Sequence, residues 1–517
     1  MAIIKSIDKR RVIPNWRDFK STINNGELQC QQNKLYKIPN SDKLLQEKID
    51  DFIKTPALGI AADLLSTAYI LDIYENLVIE KAIDLIQENQ NISSTSLIDL
   101  SKKVHSKDEP IKDQIHESDS LLTTSKHDYI ENIRKQIALY KNRLRLLPIN
   151  PVGWVELSRL YSLLGQPKQS ENAIKIALAL DPNNRFIIRS AARLLIHNDK
   201  ADEAYYYIRR AEILKYDPWL LSTEIATSCI LERRPKFIKE SIGLIESKNL
   251  SDFSLTELTS ALGTLEFYDG SNKKAKAFFK KSMISPNDNS LAQLEWISNE
   301  DKSFQINPNQ YNIRNPQEAF ALNCFENSKW KQVLQYSESW LKDIPYSTRP
   351  VLLGSFVAET FLNDYDKAIE LCKRGLIANP NDVITKNNLI CSYAQVGCLD
   401  EAIQLLEKLK PGIALLPDEQ KIVLQATSGL VLFRMGEIEN GRELYLTAYQ
   451  NAKKANYNYL KNMAILHLAK EEINAKTDNI ENIFNLVQKE TTESPDNDVQ
   501  ELFKIVEDSY KKNRKSD

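Results

Sequence analysis

Five histidines, His105, His116, His127, His197 and His467, are the first side chains to inspect for chemistry, and they are scattered. His467 has a carboxylate at helical distance in Glu471. A zinc hydrolase of the H-E-x-x-H kind needs a second histidine on that face, and none is there. No set with metal-ligand spacing emerges, so no metal is expected. Pro417-Asp418-Glu419-Gln420-Lys421 carries the D/E-x-K order of metal-dependent nucleases. Proline followed by acids ahead of an apolar run is also how a helix starts, because the positive end of the helix dipole favours anions. No companion acid lies on a strand-like stretch. The chain has no phosphate-cradling G-x-x-x-x-G-K-[ST] and no G-x-S-x-G. Asp269-Gly270-Ser271 reads as a turn. No catalytic constellation assembles, and the sequence reads as a non-enzyme without a cofactor.

Binding chemistry is better represented. Arg185, Arg189 and Arg193 recur every four residues and so share one helix face, as a solvated stripe or as a cluster of guanidiniums. The elements that place them are legible between Asn150 and Asp217. Trp154, Leu157, Ser158 and Tyr161 fall at i, i+3, i+4 and i+7, the stripe of an amphipathic helix. Gly165 breaks that helix. Ser170, Ala173, Ile174 and Ala177 stripe a second one, which Asp181-Pro182 stops. The same grammar returns about 34 residues later, with Ile188, Ala191, Ala192 and Leu195, a turn at Asn198-Asp199, then Ala204, Ile208 and Ala211.

Trp154, Leu157, Tyr161, Gly165, Ala173 and Pro182 follow the W-x-x-L-x-x-x-Y, G, A, P order, and the stretch resembles the tetratricopeptide repeat (TPR) family. The resemblance implies an all-α, right-handed superhelical solenoid of helix-turn-helix repeats, here with an N-terminal helical module. It also implies that the first helix of each pair lines a concave groove that takes an extended peptide or a helix. On that mapping Arg159, Arg189 and Arg193 converge on the groove and would suit a carboxylate-bearing partner, through paired hydrogen bonds. Asn387 and Asn388 occupy comparable first-helix positions further on. Their amides both donate and accept, which suits a peptide backbone. The family's two-carboxylate clamp for chaperone C-termini needs a Lys/Asn/Asn/Lys/Arg set over three repeats, which this chain does not complete.

In chain order, residues 1–90 read as an N-terminal helical module, with a hairpin from Leu58 to Asn89. Within it Arg10 to Leu28 holds Pro14, Trp16 and Phe19 outside any repeat, as a docking element or as a piece that tucks an aromatic into the first helical layer. Residues 91–127 are polar and read as a flexible linker. Residues 128–297 read as the first half of the array, 298–315 as an irregular break, 316–490 as the second half and 491–517 as a charged tail that frays. An isolated pair cannot bury enough apolar surface to offset its ordering entropy, so the repeats must stack.

Hydrophobic residues are 42% of the 517, enough for a core, and Lys+Arg 68 against Asp+Glu 70 gives a net charge of −2. That excludes a wholesale polyanion binder. Residues 128–217 hold fifteen Lys/Arg and ten Asp/Glu, a local +5, without interleaved stacking aromatics. Six cysteines, none in C-x-x-C, read as free thiols of a reducing compartment. The apolar stretch from Ala57 to Ile86 contains six charged residues and is not read as a membrane span. The expectation is a cytoplasmic scaffold or adaptor for a protein or peptide partner. The alternative is a regulatory sensor whose repeats bind nucleic acid or a small signal.

Overall fold

The computed structural model describes residues 13–19, 41–71, 73–91, 93, 95–105 and 126–514. Among the described residues the chain is built of α-helices with three short 3-10 turns and no strand. It forms two compact units, within 8–319 and within 320–517, and the division falls inside a helix, between Ala319 and Phe320.

The first unit opens with four helices, α1 (Ser41–Lys54), α2 (Leu58–Leu71), α3 (Leu77–Glu88) and α4 (Thr95–His105). The apolar helix α2 is central and packs against the other three. Leu45, Ile49 and Phe52 of α1 and Leu97, Leu100 and Val104 of α4 turn inward onto that bundle. Helix α4 lies in the stretch expected to be a linker. Its apolar residues are few but sit at i, i+3 and i+7, enough for one buried stripe. Helix α5 (Lys126–Leu146) leads into the repeats.

The repeats follow as the pairs α6 (Pro151–Leu163) and α7 (Pro167–Leu180), α8 (Arg185–His197) and α9 (Ala201–Arg210), α10 (Pro218–Ile230) and α11 (Ile238–Glu246), and α12 (Asp252–Tyr268) and α13 (Asn272–Ser282). Helix α14 (Asp288–Glu300) starts a further repeat. Each first helix begins on a side-chain cap: Asn150, Asn184, Asp217, Ser251 and Asn287 accept backbone N–H bonds from the first turn. These caps are 34, 33, 34 and 36 residues apart. Hydroxyls tie the layers. Ser158 Oγ bonds the Ser170 carbonyl at 2.8 Å, and Thr256 Oγ1 reaches the Ser282 carbonyl at 2.8 Å and Ser290 Oγ at 2.9 Å.

The two rows of helices differ in burial. The second helices bury one stripe each, such as Ala173, Ile174 and Ala177 on α7. The first helices form an inner row buried on nearly every side; α8 is buried from Arg185 through Ile196.

The expected irregular break contains ordered packing. Helix α14 has no second helix after it. Phe304 instead inserts its ring among Phe279, Leu294 and Ile297, with Phe267, Tyr311 and Ile313 around it. Its ring meets Phe267 and Phe279 edge-on at 5.5 and 5.9 Å.

The second unit continues the alternation from α15 (Gln317–Glu326), the helix that spans the division, and α16 (Trp330–Asp343). The pairs α17 (Arg349–Thr360) and α18 (Tyr365–Ala378), α19 (Val383–Val396) and α20 (Leu399–Leu409), α21 (Asp418–Arg434) and α22 (Ile438–Lys454), and α23 (Asn458–Ala475) and α24 (Ile480–Thr491) follow, closed by α25 (Asn497–Asn513). The D/E-x-K stretch is the start of α21, with Asp418 and Glu419 in its first turn. Helix α25 corrects the expectation of a frayed tail. Val499, Leu502, Val506 and Tyr510 are buried, and the helix packs on α23 as an end cap. Cys324, Cys372 and Cys391 are buried and Cys229 and Cys398 half-buried; Cys30 lies outside the described residues.

Candidate functional site

In the first unit the inner row brings together the three arginines singled out by sequence, and each is engaged inside the chain. Arg185, at the start of their shared face, donates from Nε to Asp217 Oδ2 at 2.6 Å. The other oxygen of Asp217 caps α10 through the Trp219 and Leu220 amides at 3.0 and 3.1 Å. Arg189 sends Nη2 to both oxygens of Glu257, at 3.1 and 3.0 Å, and its guanidinium lies 4.9 Å from the Trp219 ring centre. Asn287 adds a bond to Glu257 at 2.8 Å. Arg193 donates from Nη1 to the Ile13 carbonyl at 3.4 Å. The solvated-stripe reading of this face is therefore corrected: Arg185, Arg189 and Arg193 are all buried. A row of guanidiniums side by side in low dielectric repels itself unless it is paired, and acids of later repeats pair Arg185 and Arg189.

Arg159 lies one repeat earlier. Its Nε and Nη2 sit 3.4 Å from Glu156 Oε2 on the same helix. Glu156 Oε1 accepts the Phe19 amide at 2.6 Å. Burial pushes the Glu156 carboxyl up to about 7, against the lowering effect of Arg159, and Asp18 adds to the rise. Burial likewise raises Glu257, opposed by Arg189.

What covers this part of the inner row is a short segment, Ile13–Phe19, non-helical through Asp18 and helical at Phe19. Ile13, Pro14, Trp16, Arg17 and Phe19 are buried, while Asn15 and Asp18 are half-buried. Phe19 meets Phe186 of α8 edge-on with centres 4.9 Å apart. Arg17 Nη2 donates to Asp288 Oδ2 at 2.7 Å, and Asn15 Nδ2 reaches the same oxygen at 3.2 Å. Asp288 is the first residue of α14, where the helix dipole already favours a carboxylate. The segment thus touches α6, α8 and α14. Of the two possibilities left open for Trp16 and Phe19, both rings pack into the helical layer.

In the second unit Asn387 and Asn388 lie on α19 and are buried. Asn388 Nδ2 donates to Ser355 Oγ of α17 at 2.9 Å. Asn387 Nδ2 points at Cys391 Sγ, 3.9 Å away. Among the described residues neither Oδ1 atom has a hydrogen-bond partner. Near them on the inner row runs a line of charge that the sequence reading missed. Ser392 Oγ donates to Glu359 Oε2 at 3.3 Å. Arg434 donates to Gln395 Oε1 at 2.7 Å and pairs with Glu471 at 2.9 Å. Burial raises Glu359 and Glu471 and lowers Lys470. Burial also holds His467 well below the usual imidazole range, so it is neutral. His467 and Glu471, one helical turn apart on α23, are both buried here. Among the described residues no group of three His, Cys, Asp or Glu is arranged to hold a metal ion. No helix among them is long and apolar enough to cross a membrane.

No family model matches the sequence, and no curated protein matches it. Similar solved structures include the yeast Tom70, at 14% identity over 77% of this chain and 96% of that one, with a TM-score of 0.32. The APC/C hetero-tetramer Cut9-Hcn1 is 12% identical over 94% and 99%, with a TM-score of 0.37. A human IFIT1 dimer with PPP-AAAA is 11% identical over 96% and 99%, with a TM-score of 0.32.

Proposed function

We propose that this chain is a non-enzymatic scaffold or adaptor that grips a partner peptide or helix along the inner row of its repeats. The observation that supports it is the grip on Ile13–Phe19, a short, largely non-helical segment held by the side chains of several repeats. Arg193 reaches one of its carbonyls and Glu156 one of its amides. Groups that hold main chain in this way are indifferent to sequence, while Asp288 and the Phe186 ring add selectivity.

In this reading the five residues singled out by sequence have distinct roles. Arg193 offers a donor to a bound backbone. Arg189 holds Glu257 and Trp219 in place beneath it. Arg159 keeps Glu156 oriented toward an amide. Asn388 holds Ser355 of α17 and Asn387 lies beside Cys391, so both set the spacing of the inner helices in the other unit. Arg159 and Arg189 already face acids, so neither adds a surplus of positive charge to select the partner.

Reversing all three arginines is a poor test. It would set negative charge against Glu156 and Glu257 inside the protein and unfold it. The better test compares proteins captured from native extract by wild type, Arg193→Ala and Asn388→Ala. Loss of a defined partner from either variant, with helical content and Tm retained, is the expected result. Identical partner sets from all three would end the reading. A gel shift with RNA or DNA that weakens steeply with salt would favour a nucleic-acid sensor instead.

A further inference from the structure

The inner face of the first unit contains two kinds of charged group. Arg185 with Asp217, and Arg189 with Glu257 and Asn287, close on one another within the repeats. Asp288 and one oxygen of Glu156 are satisfied differently. They take hydrogen bonds from Asn15, Arg17 and the Phe19 amide, all on the segment Ile13–Phe19. Arg17 is 5% exposed, and its pair with Asp288 is sealed from solvent on both sides. A charge pair buried this completely is a specific recognition element, since either group alone would be left desolvated. Trp16 and Phe19, both buried, flank it.

We infer that this face reads short segments of the pattern aromatic-Arg-x-aromatic, that Trp16-Arg17-Asp18-Phe19 is its resident occupant, and that a partner protein presenting the same pattern takes its place. The inference rests on the peptide-gripping reading above and narrows it to a ligand chemistry. The hold on the segment is made by side chains of the inner helices, not by a backbone ladder, so another chain can reproduce every bond. The resident has one advantage. It is tethered, with 21 residues between Phe19 and Ser41, and a tether of that length gives an effective concentration on the order of millimolar. An outside segment must outcompete it, which makes the resident a built-in threshold for binding.

The test uses the full chain and a fluorescent synthetic peptide spanning residues 10–21. Trp16→Ala/Arg17→Ala in the protein empties the face. The double variant is expected to bind the peptide at least about tenfold more tightly than wild type, because the tethered competitor is gone. On that background Asp288→Asn is expected to weaken binding about thirtyfold or more, and a peptide with Arg17→Ala should lose a similar factor. A folded double variant that binds no better than wild type, or a peptide affinity insensitive to Asp288, overturns the inference. If the double variant loses helical content, exchange of the Phe19 amide in wild type decides. Faster exchange with excess peptide supports displacement, and unchanged exchange overturns it. Concentration-dependent dimers of wild type that disappear with Trp16→Ala/Arg17→Ala would replace the partner with a second copy and also overturn it. If peptide binding fails while Arg193-sensitive capture survives, only the ligand chemistry falls. If both fail, the peptide-gripping reading falls with it.

Discussion

Glu156 gives the sharpest physical test of the inner face. Its carboxyl is 3% exposed, and burial lifts it from the ordinary 4.5 to about 7. A displacement of that size corresponds to about 3 kcal/mol between burying the charged and the neutral form. The sign follows from proton counting. Between pH 4.5 and about 7 the folded chain keeps a proton at Glu156 that the unfolded chain has released. Stability from this group is therefore fully present below the lower value and declines as pH rises through the upper one. Glu156→Gln removes the titration but keeps an acceptor for the Phe19 amide. Urea unfolding followed by far-UV circular dichroism, at pH 5 and pH 8, reads the effect as the difference between wild type and variant. That difference should shift by about 3 kcal/mol in favour of the variant on going to pH 8. A difference that stays flat, or that moves toward wild type, would refute the reasoning. It would mean that Arg159 and the Phe19 amide hold the carboxylate ionised against the cost of burial.

Other outcomes are open to measurement. Arg442 lies across Glu472 with Nε and Nη2 at 2.5 and 2.8 Å, so Arg442→Ala should cost about 3–5 kcal/mol in urea unfolding by stranding a buried carboxylate. Phe304→Ala should cost about 3–5 kcal/mol and bind a hydrophobic dye at the vacated site, because no second helix closes over α14. Gly441→Ala should lower the Tm by an amount equivalent to about 1–3 kcal/mol, since an added Cβ would sit 2.6 Å from the Phe433 ring and 2.8 Å from the Gly429 carbonyl. Ending the chain before Asn497 should expose α23 and speed hydrogen exchange in that helix, whereas unchanged exchange would contradict its capping role.

The helical repeats were legible because their signal is local. Trp154, Gly165, Ala173 and Asp181-Pro182 lie within one repeat, and the period needed only the next one. The helices that carry Arg159, Arg189 and Arg193 were legible too, since all three lie on first helices of their pairs. Their partners were not. Glu257 is 68 residues from Arg189, and Asp288 is 271 from Arg17, so no window of sequence contains both halves of either pair. Helix α25 was missed for a different reason. Its charged surface hid an apolar stripe at Val499, Leu502, Val506 and Tyr510 whose i, i+3, i+7, i+11 spacing was there to be read. Helix α4 was lost the same way behind its serines and lysines. Trp16 and Phe19 were noticed as packing residues, but nothing in their own segment announced that Asp288 would meet the arginine between them.

The double duty of Asp217 limits how such an array can change. One oxygen starts a helix and the other fastens the guanidinium of the unit before it. A gene duplication or deletion that cuts at this joint would leave an arginine without its acid or a helix without its first bond. A unit inserted here would have to bring an acid for Arg185 and an arginine for Asp217 to keep both bonds.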